Sequence, residues 1–131
     1  MLDSHGSVSP LDSLQPAAHA SDVRDLVKAV REVHVADQIR QYIISLVHAT
    51  RMSPALRLGA SPRAALHLLR ASRAYAALDG RDFVIPDDVQ ALAGPVLAHR
   101  LLPTPEALVG QELPDQALAR IVERLPLPPA R

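Results

Sequence analysis

Apolar residues recur at helical spacing in five separate segments of the chain, and this spacing constrains the fold more than any other feature. The clearest segment runs from Asp37 to Thr50, where apolar side chains fall at positions i, i+3, i+4, i+7 and i+8. They are Ile39, Tyr42, Ile43, Leu46 and Val47. Arg40 and Gln41 lie on the opposite side of the same helix. The pattern predicts an amphipathic helix with one buried face.

Two further helices are predicted from their start and stop signals. Ser21 offers an N-cap oxygen, and the helix that follows it to about Glu32 has an apolar stripe of Val23, Leu26, Val27 and Val30. Ser61 and Pro62 form a strong helix start, because serine caps free N–H groups and proline at the first position loses only an unpaired donor. That helix should run to about Asp79, with Gly80 ending it in the left-handed conformation. The segment between the second and third helices, Met52–Ala60, is predicted to be a loop.

The C-terminal half of the chain should hold two more helices. The first begins at Pro86, and the acidic Asp87 and Asp88 suit the positive end of its dipole. Gly94-Pro95 should kink or interrupt it, because Pro95 cannot donate to the carbonyl four residues back. After a proline-rich connector at 102–114, the last helix carries a stripe of Leu118, Ile121, Val122 and Leu125.

The composition agrees with one helical domain. The chain has 131 residues, of which 48% are hydrophobic and three are aromatic, and this balance disfavours a β-sandwich. Two β-branched pieces, Val33–Val35 and Phe83–Ile85, are predicted to be extended and to pair. We therefore expect an all-α bundle of four or five helices with at most a short two-stranded β pairing.

Charge and residue usage narrow the function. Fourteen basic residues balance fourteen acidic ones, so no global field steers the chain onto nucleic acid or a membrane. No apolar run approaches the roughly 20 residues of a membrane span. Without cysteine there is no thiolate chemistry, and the six histidines lack metal-ligand spacing, so no metal site is expected. We expect a cytoplasmic location.

One stretch nevertheless has a strong local excess of positive charge. Between positions 51 and 81, six arginines face a single acid, Asp79. They are Arg51, Arg57, Arg63, Arg70, Arg73 and Arg81. A phosphate-bearing partner would complement them. Equally, such arginines can form a solvated helix face and cover apolar neighbours with their stems.

Arg63 stands out among these arginines. It lies in the first helical turn after Ser61 and Pro62, where a cation opposes the helix dipole. Local rules are most often broken at functional sites. A phosphate at this helix end would meet the dipole, free N–H groups and the guanidinium together. Arg63 and Ser61 are therefore the candidate phosphate-binding residues, although arginine at a helix start also occurs without function.

Two runs of residues resemble a known family. They are VHVADQIRQYIISLVHATR at 33–51 and LGASPRAALHLLRASRAYAALDGRDFVIPDDVQALAGPVLAHRL at 58–101. Together they resemble the C-terminal lid subdomain of the MoxR group of AAA+ ATPases. The resemblance covers at least 21–102. In that family the arginine after Ser-Pro is the sensor 2 residue, which contacts the γ-phosphate of ATP, and Arg63 occupies that place with a catalytic role.

The resemblance also implies a domain organisation. Residues 1–20 would connect to an α/β ATPase core, 21–102 would form the lid, and 103–131 would form a proline-rich connector and a helix packed on the lid. The chain has no G-x-x-x-x-G-K-[ST] motif and no Walker B acids, so by itself it should not hydrolyse ATP. We expect it to be part of a longer protein, with Met1 an internal start or the boundary of a fragment.

The resemblance further implies cofactors and partners. ATP, with Mg²⁺ in the parent ATPase, would be the ligand, with none bound tightly by the lid alone. The partners would be the core, neighbouring subunits of a ring and proteins with von Willebrand factor A domains, rather than nucleic acid or a membrane. Such ATPases act as chaperone-like remodelling factors.

Two alternatives to a lid remain open from the residues themselves. An autonomous arginine-rich nucleic-acid-binding domain could use the helices at 36–50 and 62–79 as a helix-turn-helix. Against it, the loop at 52–60 is longer than the three or four residues of that turn, and the net charge is zero. A helical protein-interaction module without any phosphate role is the third reading.

Overall fold

The computed structural model describes residues 13–128, and within them the chain forms a helical bundle. The helices are α1 (Ala20–Glu32), α2 (Asp37–Met52), α3 (Pro62–Leu78), α4 (Pro86–Leu97), α5 (Pro105–Val109) and α6 (Pro114–Arg124). A 3-10 turn at Ala98–Arg100 follows α4, and two short strands, β1 (Leu56–Leu58) and β2 (Leu102–Pro103), pair with each other. The predicted all-α class is confirmed.

Helix α2 forms one wall of the hydrophobic core. The five apolar residues of its predicted stripe are all buried, and Thr50 continues the same face. At the polar edge of this face, the Tyr42 hydroxyl accepts a hydrogen bond from Gln90 Nε2 on α4 at 3.1 Å. The stripe therefore fixes which side of α2 meets the rest of the bundle.

Helices α3 and α4 pack closely because small side chains line the buried face of α3. Ala64, Ser72 and Ala76 are fully buried there, together with Leu68. Gly80 ends this helix with a φ of +73°, in the left-handed conformation predicted for it. The chain can therefore reverse and enter α4 immediately.

The predicted interruption of α4 at Pro95 is wrong, because the helix runs through Pro95 to Leu97. Pro95 has no N–H and so removes one helical hydrogen bond, and only two residues of the helix follow it. Val89, Ala93 and Leu97 are almost completely buried on one face of α4. Their packing holds the last turn in helical conformation.

The two predicted extended pieces meet as a parallel β-bridge between His34 and Phe83. His34 N donates to Asp82 O at 2.7 Å, and Val84 N donates to His34 O at 3.0 Å. A second pairing was not predicted: β1 lies in the expected loop and pairs antiparallel with β2 in the expected connector. That connector also contains α5, so little of it is irregular.

Helix α1 differs from the prediction at its start and in its burial. It begins at Ala20, so Ser21 lies inside the helix, and Asp22 Oδ2 accepts from the backbone N–H of His19 at 2.8 Å. No residue of α1 is buried. Residues 1–12, which belong to the predicted connector at 1–20, lie outside the described residues.

Asp88 carries a buried ion pair that locks the start of α4. Arg81 Nη1 and Nη2 donate to its two carboxylate oxygens at 2.9 and 2.6 Å, and Ile85 N donates at 2.9 Å. Burial acts to raise the pKa of Asp88, but the hydrogen bonds from Arg81 and Ile85 and the arginine charge outweigh it and lower this pKa. The carboxylate therefore stays ionised and stabilises the fold.

Asp88→Asn is expected to reduce the free energy of unfolding at pH 7 by about 1–3 kcal/mol, because it removes a charged partner from buried hydrogen bonds. Since folding lowers the pKa of Asp88, its contribution is complete above the ordinary aspartate pKa of about 3.9 and is lost as the pH falls below it. Urea unfolding between pH 7 and pH 3 measures both effects. The exposed neighbour variant Asp87→Asn is the control, and an equal loss in both variants would contradict the assignment.

Candidate functional site

The candidate site is the start of α3. Ser61 is the N-cap, and its Oγ accepts from Ala64 N at 3.3 Å, as the Ser-Pro pattern predicts. Pro62 has no N–H, and the first turn of α3 contains no acidic residue. An electropositive helix end therefore opens to solvent without a carboxylate of its own turn to neutralise it.

Arg63 lies exposed in this first turn. Within the described part of the chain, its guanidinium forms no hydrogen bond and no ion pair, and its backbone N–H finds no acceptor. A backbone donor and a planar cation are thus available side by side for an anion brought from outside. The structure does not bury Arg63 in the bundle, so the side chain is free to face another molecule.

Thr50 fixes the loop that leads into this helix. The side chain is fully buried at the end of α2, where Oγ1 donates to Val47 O at 2.7 Å. The same oxygen accepts from Ala60 N at 2.9 Å. One hydroxyl therefore ties the residue before the Ser61 cap to the last turns of α2.

Gly59 lets the loop come this close to α2. A Cβ at Gly59 would lie 2.6 Å from the Cα and N of Arg51 and 2.7 Å from the carbonyl carbon of Thr50. Backbone atoms cannot yield as the end of a flexible side chain does, so only glycine fits here. Thr50 and Gly59 were not singled out as site residues from the sequence, although Thr50 does continue the apolar stripe of α2.

Arg51 belongs to the same end of the bundle. It lies in the last turn of α2, its side chain is exposed, and its backbone is the surface on which Gly59 packs. No hydrogen bond or ion pair engages its guanidinium within residues 13–128. Two free arginines, Arg51 and Arg63, thus come from neighbouring elements around one short loop.

The other arginines of the 51–81 cluster lie elsewhere. Arg81 is removed from the candidate phosphate contacts, because Asp88 and Asp79 both accept hydrogen bonds from it and raise its pKa. Arg70 and Arg73 line a cavity between α1 and α3. The predicted charge excess is therefore divided among separate places, and only part of it faces the start of α3.

Comparison with known proteins shows the family to which the chain belongs. Residues 48–121 match the family model described as the AAA lid domain. The chain is 43% identical over 98 residues to the protein YeaC of Bacillus subtilis, covering 75% of this chain and 31% of that protein. It is 38% identical over 96 residues to the chaperone MoxR1 of Mycobacterium tuberculosis, covering 66% of this chain and 26% of the relative.

Two further similarities extend to a third organism and to a solved structure. The protein MoxR of Paracoccus denitrificans is 40% identical over 108 residues, covering 67% of this chain and 31% of that protein. The crystal structure of a protein assigned as an ATPase from Cytophaga hutchinsonii superimposes with a TM-score of 0.79 at 29% identity. That match covers 82% of this chain and 35% of the other.

The chain belongs to the AAA lid domain family, because the family model matches more than half of its residues. Its likeness to the MoxR proteins defines it further as a lid of the MoxR type of AAA+ ATPase, as the resemblance predicted. The chain spans between 21% and 31% of the length of the curated relatives it matches. Within residues 13–128, no helix has the length and apolarity to cross a membrane.

Gly59→Ala is expected to reduce the free energy of unfolding by about 1–3 kcal/mol, because the added methyl group overlaps the backbone of α2. Gly94→Ala is the matched control, since a Cβ at Gly94 meets no atom within 4 Å and alanine favours the helix. Urea unfolding of both variants measures the difference. Equal stability of the two variants would show that the loop does not need this close approach.

Proposed function

We propose that the chain closes over ATP bound by an α/β ATPase core and that Arg63 acts as the sensor 2 arginine toward the γ-phosphate. The observation that carries the proposal is the exposed, unpaired guanidinium of Arg63 at the capped start of α3. Its γ-phosphate contact would be a charge-assisted hydrogen bond, which is about twice as strong as a neutral one. Ser61 would shape this contact by holding the first turn of α3.

The chain's own part in the reaction is binding and orientation. Because the sequence has no phosphate-binding glycine loop with its lysine, the nucleotide would be held by the core, together with Mg²⁺ that neutralises phosphate charge. The first turn of α3 offers no carboxylate to the metal, so its residues fit the phosphate and not the ion. Thr50 and Gly59 would keep Arg63 at a fixed distance from the core, and Arg51 would face the same interface.

The packing of the bundle supports a mechanical role. The buried faces of α2, α3 and α4 share one core. A displacement of the start of α3 would therefore be transmitted to all three helices. Binding or loss of the γ-phosphate would therefore move the lid as a body. In a ring of such ATPases this movement would drive chaperone-like protein remodelling, with partners that include von Willebrand factor A domain proteins.

The alternative of a nucleic-acid-binding helix-turn-helix gains no support from the geometry. Nine residues, 53–61, separate α2 from α3, and three of them form β1. Arg81, which was counted toward a basic surface, is paired with Asp79 and Asp88. If the chain bound random duplex DNA with an affinity that falls steeply as the salt concentration rises, this alternative would be supported.

Arg63→Ala is expected to slow ATP turnover by about 10³-fold in a protein in which the lid is joined to its core, by analogy with arginines that stabilise a transferring phosphoryl group. The change should leave the free energy of unfolding within about 0.5 kcal/mol, because the side chain is exposed and unpaired. Arg57→Ala, which removes an exposed arginine from the nearby β1, is the control and should retain turnover. Full turnover by Arg63→Ala would remove the proposed role.

A further inference from the structure

An open cavity of about 650 Å³ is lined by residues of α1 and α3. One wall is the apolar face of α1, where Leu26 is 64% exposed and Val27 is 46% exposed. Arg70 and Arg73 of α3 and Arg31 of α1 also line the cavity. We call this cavity the α1–α3 groove. Apolar side chains and arginines together line it.

The arginines of the α1–α3 groove lack partners. Within residues 13–128, Arg31, Arg70 and Arg73 form no ion pair, and Nε of Arg73 is buried without an acceptor. Helix α1 has three acids: Asp22 accepts from the backbone of His19, Asp25 pairs with Lys28, and Glu32 forms no ion pair with these arginines within residues 13–128. A buried donor without an acceptor is unfavourable. Carboxylates from outside the described chain would supply acceptors for these arginines.

We propose that the α1–α3 groove binds an amphipathic helix of a partner protein that carries carboxylates beside its apolar face. The apolar residues from Val23 to Val30 lie within eight residues, or about 10 Å of helix, which matches two turns of a partner packed alongside. Carboxylates flanking those turns would meet Arg70 and Arg73 in forked pairs.

Charge decides against other occupants. A second copy of the chain that presented its own groove would bring the same arginines against each other, and such like-charge contacts disfavour association. Nucleic acid would pair with the arginines but would leave the apolar face of α1, with Leu26 and Val27, exposed to solvent. An acidic amphipathic helix would cover the apolar face of α1 and also pair its carboxylates with the arginines. Arg70 lies about two helical turns beyond Arg63 on α3, and Arg63 does not line the groove.

The test uses the full 131-residue chain labelled with ¹⁵N and two synthetic peptides of about 18 residues, five helical turns each. Both peptides carry the same leucine stripe, flanked by glutamates in one and by lysines in the other. We expect the glutamate peptide to shift the amide resonances of 22–31 and 69–75. It should bind about tenfold more tightly than the lysine peptide, which is repelled by the arginines.

Two variants locate the binding site. Arg70→Glu replaces an exposed charge of the groove and should weaken the glutamate peptide at least about tenfold, while Leu26→Ser should weaken both peptides. Arg100→Glu, on the 3-10 turn after α4, is the matched charge control and should bind like the parent chain. Far-ultraviolet circular dichroism establishes that each variant remains helical.

Several results would overturn the proposal. These are equal affinity for the two peptides, no binding of either, or resonance shifts confined to residues outside α1 and α3. Self-association of the free chain with the same α1 shifts would identify a second copy as the occupant instead. The nucleotide role does not enter this experiment, because no ATP and no core are present, so failure here leaves the proposal for Arg63 standing.

Discussion

The candidate site depends on the two hydrogen bonds formed by the hydroxyl of Thr50. This hydroxyl is fully buried, donates to Val47 O at 2.7 Å and accepts from Ala60 N at 2.9 Å, so it joins the end of α2 to the loop before α3. Gly59 makes that approach possible by presenting no side chain to the α2 backbone. The position of Ser61, and hence of the first turn of α3, follows from these two residues. The long, flexible side chain of Arg63 therefore starts from a backbone position that these contacts hold fixed.

The distribution of paired and unpaired arginines links this support to function. Arg81 satisfies the buried carboxylate of Asp88 and acts within the fold. Four unpaired arginines instead lie on surfaces that the described chain leaves open: Arg63 at the start of α3, Arg51 at the end of α2, and Arg70 and Arg73 in the α1–α3 groove. A lid works by meeting other pieces of protein, and these surfaces are where anionic groups would be met.

Local signals in the sequence predicted most of the helices, because apolar periodicity and capping residues act within a few turns of chain. The stripe of α2, the Ser61 cap and the left-handed stop at Gly80 are of this kind. Features that depend on distant segments escaped prediction. The β1–β2 pairing joins residues more than forty positions apart, and the need for Gly59 arises only when the loop packs on α2. Packing also carries α4 through Pro95 against its local preference.

The most direct measurement of the central claim is a crystal structure of this lid joined to its ATPase core, with Mg²⁺ and a non-hydrolysable ATP analogue bound. The account predicts a guanidinium nitrogen of Arg63 within about 2.7–2.9 Å of a γ-phosphate oxygen, with the Thr50 hydroxyl still bonded to Ala60 N. A γ-phosphate bound only by residues of the core, with Arg63 left in solvent or paired to a carboxylate, would contradict it.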